Sequence, residues 1–207
     1  MIKKLFSFLL LGAVLLASCD EVEEMGKYDN WQERNEAYMD SIARLAGNNY
    51  VLNMEQADAM QLGQFYAIKD PSASTSETTR YIYCRKLTAN PDGVRPLYTG
   101  ENSTVSAYYH GTLITGDNFD GNFDGYGATD TSIPLPPALW PTAFDQPTSF
   151  TVTGVFSGWT WPLQYMRTGE RWLLYIPWQS GYGESGYSSI LGYSTLVFDI
   201  CLESIVK

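Results

Sequence analysis

The chain has 207 residues, 44% of them hydrophobic and 14% aromatic, enough to build one sizeable core with an N-terminal extension rather than two full domains. Its 13 Lys and Arg stand against 23 Asp and Glu, a formal net charge of −10. Phosphate contacts need a basic face that such a composition does not supply, so nucleic-acid binding is excluded, and the acidic surface chiefly implies solubility.

Residues 1–18 read as a leader: Lys3 and Lys4, an apolar run from Leu5 to Leu16, then small residues before Cys19. The run is too short for the ~20-residue helix that crosses a bilayer. Leu16-Ala17-Ser18-Cys19 has the form of a bacterial lipobox, which makes Cys19 the expected lipidated N-terminus of the mature chain. Several acyl chains would anchor it stably where one would not. Residues 19–29 form an acidic tether, whose Asp20–Glu24 run resembles the export signals of surface lipoproteins in the Bacteroidetes. The expected location is the cell envelope, with the lipid as the only membrane contact, at the outer membrane and with display on the outer face as a further option.

An amphipathic helix is expected over residues 30–47. Asn30 has the form of an N-cap with Glu33 three places on, Trp31, Tyr38, Ile42 and Leu45 recur at helical spacing, and Gly47 stops the run. Residues 48–79 are read as a connecting segment, ending in a small, polar stretch from Pro71 to Thr79. Beyond it the period changes to that of strands: Tyr81–Leu87, Thr104–Leu113, Phe150–Val155, Arg171–Ile176 and Ser194–Leu202, with one short helix near Trp159 whose first turn would hold Pro162. Five antiparallel strands closing over one helix give an α+β domain over residues 80–207. Cys84 and Cys201 both fall in strands, where one disulfide is conceivable; no C-x-x-C spacing supports a zinc or redox site.

Four segments carry a resemblance to a known family. They are Tyr109-His110-Gly111-Thr112-Leu113 with Gly116 and Phe119-Asp120; Phe150-Thr151-Val152 with Val155-Phe156-Ser157-Gly158-Trp159; Met166 to Arg171 with Tyr175-Ile176-Pro177 and Gly181-Tyr182-Gly183; and Ser194 to Asp199. In order and spacing they resemble the FKBP-type peptidyl-prolyl cis-trans isomerases over about 100 residues. The resemblance implies a half-barrel sheet wrapped on the short helix, and an isomerase acting on proline-containing polypeptides without cofactor or metal. It further implies a pocket of Tyr109, Phe119, Asp120, Val155, Phe156, Trp159, Tyr182 and Phe198, with Trp159 as floor and Phe150, Tyr187, Ile190 and Leu191 as substrate-binding rims. Donors to the substrate would be the Tyr182 hydroxyl and the Phe156 backbone N–H.

Three departures qualify the match. No arginine lies between Asp120 and Pro147, so the family's usual partner for the pocket aspartate is missing from its place, leaving Tyr109 as the alternative support. Tyr187 stands in the flap where some members carry histidine. An insertion at about 121–147, rich in proline and holding Trp140, is expected to cover a hydrophobic edge, with a role in partner selection as the alternative. Asp120-Gly121-Asn122-Phe123-Asp124-Gly125 also opens like a calcium loop, but Thr131 stands where its bidentate Glu should be, and a plain turn is the simpler reading. The repeated Asn-Phe-Asp-Gly leaves Phe123 and Asp124 as the alternative to Phe119 and Asp120. His110, the single histidine, has no nucleophile pattern around it. The expected function is assistance to extracytoplasmic folding; the alternative is a catalytically weak module that binds Pro-containing segments of a partner.

Overall fold

A computed structural model describes residues 26–206, so the leader, Cys19 and the acidic run lie outside the described residues. The first helix, α1 (Trp31–Ala46), starts differently from its sequence signature: Asn30 is left-handed (φ 51°) and its side chain makes no cap bond. Its buried stripe is Trp31, Asn35, Ile42 and Ala46, while Leu45 is 60% exposed. The shift by one position follows from what the helix meets. Asn35 Oδ1 accepts the Thr195 N–H at 2.7 Å, and the Trp31 indole donates to the Ser194 hydroxyl at 3.0 Å, so polar anchors to a distant segment select the face.

The stretch 48–79 is more than a connection. It contains β1 (Tyr50–Val51), a five-residue helix α2 (Met54–Asp58) capped by the Asn53 side chain, and β2 (Phe65–Asp70). β2 pairs antiparallel with β3 (Arg80–Thr88) from Phe65 opposite Arg85 to Asp70 opposite Arg80, and β1 lies parallel to β2. The remaining strands are β4 (Thr104–Leu113), β5 (Asn118–Gly121), β6 (Thr148–Thr151), β7 (Arg171–Ile176) and β8 (Leu196–Ile205). The α+β class with a leading helix stands, but the sheet has eight strands rather than five and one of its pairs is parallel. Its order is β1-β2-β3-β7-β8-β4-β5, with β6 sharing the outer edge of β4 with β5.

All six residues of β7 are buried, because both faces of the sheet centre are covered. On one face Trp172, Leu174, Ile176, Leu196, Phe198, Ile200 and Leu202 pack on Leu163 and Trp159 of α3 (Ser157–Tyr165). On the other, Leu173, Tyr175 and Val197 meet Ile42 of α1 and Tyr126 of the insertion. Pro162 sits well inside α3 rather than in its first turn, where it leaves the Gly158 carbonyl without its i+4 donor while its own carbonyl still accepts from Met166. Gly158 lets α3 approach the sheet, since a Cβ there would lie 2.3 Å from Ile176. Cys84 and Cys201 are free; β7 lies between their strands, Cys84 pairs with Leu174 and Cys201 with Arg171, and two strand spacings combined with that three-residue offset put them ~14 Å apart, beyond the reach of a disulfide.

The insertion runs from β5 to β6 over the sheet face opposite α3. Its residues Phe123, Tyr126 and Trp140 place their rings 4.9 to 5.5 Å from the guanidinium of Arg171. Arg171 is fully buried and paired with fully buried Asp199; its Nε donates to Asp199 Oδ1 at 2.8 Å, and a second nitrogen donates to the Leu139 carbonyl. Asp199 Oδ2 also accepts the Tyr126 N–H at 2.8 Å. Burial disfavours the Arg171 charge, but the bonds to Asp199 outweigh it and hold the guanidinium above its ordinary pKa. The insertion is thus a cover clamped to the sheet by one arginine.

Candidate active site

Alternation along β4 and β8 decides which side chains meet α3. Tyr109 of β4 and Phe198 of β8 point to the helix side, while Asp199 points the other way to Arg171. The N-terminus of α3 brings Trp159 beneath them, 3% exposed, with ring centroids 5.4 Å from Tyr109, 5.1 Å from Phe198 and 5.2 Å from Phe150 of β6. Phe156, the residue before α3, stands 5.3 Å from Tyr182 and 6.0 Å from Phe198. These rings, mostly edge-to-face, leave a cleft of about 380 Å³ lined by Tyr109, Asp120, Phe150, Val155, Phe156, Trp159, Tyr182, Tyr187 and Phe198, together with Gly154. The Trp159 indole nitrogen has no hydrogen-bond partner among the described residues.

Other residues expected at the cleft fall elsewhere. Phe119 lies behind the wall, edge-on to Phe198 at 5.3 Å, and supports it rather than lining the cleft. Ile190 is buried in the main core, where its N–H and carbonyl exchange bonds with Tyr187, and Leu191 is exposed outside the lining. The flap's tight turn, with Ser188 left-handed at φ 53°, turns Ile190 inward and leaves Tyr187 stacked on Tyr182 at 5.2 Å. Of the two Asn-Phe-Asp-Gly copies, the first edges the cleft with Asp120, and Phe123 of the second belongs to the insertion, against Arg171. Within the calcium-like run, the Asn122 side chain ties the turn to β4, accepting from the Tyr109 N–H at 2.8 Å and donating to the Ala107 carbonyl at 3.1 Å.

Asp120 is the one charged residue lining the cleft. Its Oδ1 accepts the Tyr109 hydroxyl at 3.1 Å and the Gly121 N–H at 2.8 Å. Burial, and then the Asp120 charge, push the Tyr109 hydroxyl up to about 12, and the same two causes raise Tyr182, so both hydroxyls stay protonated and able to donate at neutral pH. No strong acid, base or nucleophile is poised by this geometry. What it offers is a mostly apolar, ring-walled hollow with hydroxyl donors at its mouth, suited to a compact apolar ring attached to a polar amide.

Two supports escaped sequence reading. Asp70, fully buried at the end of β2, accepts from the Ser157 hydroxyl at 2.6 Å and from the Ser72 and Ala73 N–H groups, and so fixes the start of α3, two residues before Trp159. The only local signal was Asp-Pro-Ser, an Asx-turn pattern. Gly154, the other, sits in the turn between β6 and α3 and carries no chemistry to single it out.

Comparison with known proteins agrees with this architecture. A family model described as "FKBP-type peptidyl-prolyl cis-trans isomerase" matches residues 98–203. The "FKBP-type 22 kDa peptidyl-prolyl cis-trans isomerase" of Escherichia coli is 30% identical over 168 residues, 73% of this chain and 68% of that one. The "Macrophage infectivity potentiator" of Trypanosoma cruzi is 29% identical over 96% of this chain and 82% of that one. With the FkpA of Buchnera aphidicola the match takes in 48% of this chain and only 32% of that one. The crystal structure of FkpA from Escherichia coli superposes with a TM-score of 0.53 at 26% identity, covering 86% of this chain and 62% of that one. With more than half its length matched by the family model, the chain belongs to the FKBP-type peptidyl-prolyl cis-trans isomerases.

Proposed function

We propose that the cleft over Trp159 is where this chain turns Xaa-Pro bonds, and that it does so for polypeptides folding outside the cytoplasm. An Xaa-Pro bond rotates over a barrier of ~20 kcal/mol because the planar amide must lose its resonance, and unassisted it takes tens of seconds. A proline ring held by Trp159, Tyr109, Phe150 and Phe198 would leave its amide at the mouth. The twisted amide has less carbonyl dipole to desolvate than the planar one, so an apolar site favours it selectively, and the Tyr182 hydroxyl and Phe156 N–H would serve as donors to the substrate. The observation that carries this reading is the convergence of aromatic side chains from β4, β6, α3, the flap and β8 on one hollow.

The roles of Phe119 and Asp120 are then indirect or electrostatic, Phe119 backing Phe198 and Asp120 orienting the Tyr109 hydroxyl. The proposal extends to location: a leader over residues 1–18, a lipid on Cys19 and an acidic tether would hold the domain at the cell envelope, on the outer membrane. Incorporation of labelled acyl chain into the wild type but not into Cys19→Ser would support the anchor, and equal incorporation would remove it.

Exchange NMR on a short Xaa-Pro peptide tests the chemistry. Acceleration by the wild type is expected, with at least a tenfold loss, about 1.4 kcal/mol of transition-state stabilisation, in Trp159→Ala and a smaller loss in Tyr182→Phe. Binding without acceleration would favour a proline-binding module instead, a reading that the absence of an arginine beside Asp120 keeps in view.

A further inference from the structure

We propose that this cleft selects proline-containing segments that carry a Lys or Arg next to the proline. The inference rests on the reading of the cleft as a proline site and adds to it the chemistry of the flanking residue. The first ground is the charge of the lining. Asp120 is exposed at the cleft, and no Lys, Arg or His lines the hollow. Five ion pairs occur among the described residues, and none involves Asp120. Its Oδ1 is held by a hydroxyl and a backbone N–H, both neutral donors, so the negative charge at the mouth is uncompensated. The single histidine is turned away, with its Nδ1 placed either to donate to the Phe123 carbonyl or to accept from the Asn118 amide, according to its tautomer.

The second ground is the shape of the same mouth. Tyr187 is 65% exposed and stacked on Tyr182, 5.2 Å between centroids at an interplanar angle of 22°. That stack adds an open aromatic face to the lip. A carboxylate and an aromatic face at one opening form a receptor for a cation on an aliphatic stem, since the ring attracts the charge and packs against the methylenes. The same field repels an acidic neighbour. Tyr109 and Tyr182 both register the carboxylate, because its charge contributes to holding their protons. The overall charge of −10 works in the same direction on encounter rates.

The test uses three otherwise identical proline peptides with Lys, Leu or Glu before the proline, and a second set with those residues after it. Exchange rate and Kd are both read by NMR. In one set or the other the order is expected to be Lys, then Leu, then Glu, with Lys over Glu by about tenfold at low salt and that ratio shrinking at high salt. Asp120→Asn should collapse the Lys-to-Glu ratio within that variant, whatever happens to its absolute rate. Tyr187→Ala should lower the Lys-to-Leu ratio and leave the Leu-to-Glu ratio in place. Acceleration with no preference for Lys in either set, or a preference that survives Asp120→Asn, would overturn the inference while sparing the isomerase. Binding in the expected order without acceleration would uphold the charge preference and overturn the isomerase. No binding of any peptide would overturn both.

Discussion

Replacing Asp199 with Asn keeps the volume of the side chain but removes the charge that holds Arg171. Both side chains are fully buried, so the guanidinium would be left among Phe123, Tyr126 and Trp140 with no other ion-pair partner among the described residues. Breaking a buried pair from one side costs ~3–5 kcal/mol, out of a total stability of about 5–15 kcal/mol for a domain. For a chain of this size each kcal/mol moves Tm by ~2–4 °C, so Asp199→Asn is expected to melt roughly 10 °C lower. Removing both charges, as in Arg171→Met with Asp199→Leu, should recover a good part of the loss, since no charge is then stranded. The assay is a double-mutant cycle by urea unfolding, joined to hydrogen exchange at Tyr126, whose N–H bonds to Asp199. A single-mutant cost below about 1 kcal/mol, or double-mutant losses that merely add, would refute the view that this pair clamps the insertion to the sheet.

Gly111 lies across from Phe198 on the neighbouring strand, and a Cβ there would stand 2.6 Å from the Phe198 ring and 2.9 Å from Phe119. Gly111→Ala is therefore expected to cost ~1–3 kcal/mol in overpacking and to raise KM by shifting the cleft wall; an unchanged melt and KM would contradict this. Asp58 accepts from Arg167 and Arg95, and hydrogen bonds from Arg167 first and Arg95 second hold its carboxyl far below the ordinary range. A depressed folded pKa means stability that is present above about pH 4 and lost as pH falls. The half-exposed site limits the effect to ~1 kcal/mol. Asp58→Asn should therefore be less stable than wild type at pH 7, with the gap narrowing in acid, whereas a gap constant down to pH 2 would argue against the pairing. Burial pushes the Cys201 thiol up to about 12 and the Cys84 thiol higher still. Site-resolved thiol labelling should accordingly follow unfolding, and rapid labelling of either cysteine in the folded chain would contradict the packing.

Local composition was enough to mark Thr104–Leu113 and Arg171–Ile176 as strands, because a short run holding β-branched, aromatic and leucine side chains, bounded by turn-forming residues, can be read without its partner. Motif spacing likewise located Tyr109, Trp159, Tyr182 and Phe198, which the fold gathers into one hollow. What tertiary structure alone decided is which face each long-range contact takes. Ser157 finds Asp70 across 87 positions, Arg171 finds Asp199 across 28, and Asn35 finds Thr195 across 160. β2 carries no pattern that names β3 as its neighbour, and Ile190 reads the same whether it faces a substrate or the core. Pairing and burial are properties of the whole chain packed at once, and a polar side chain shows its partner only after the backbone has brought the two together.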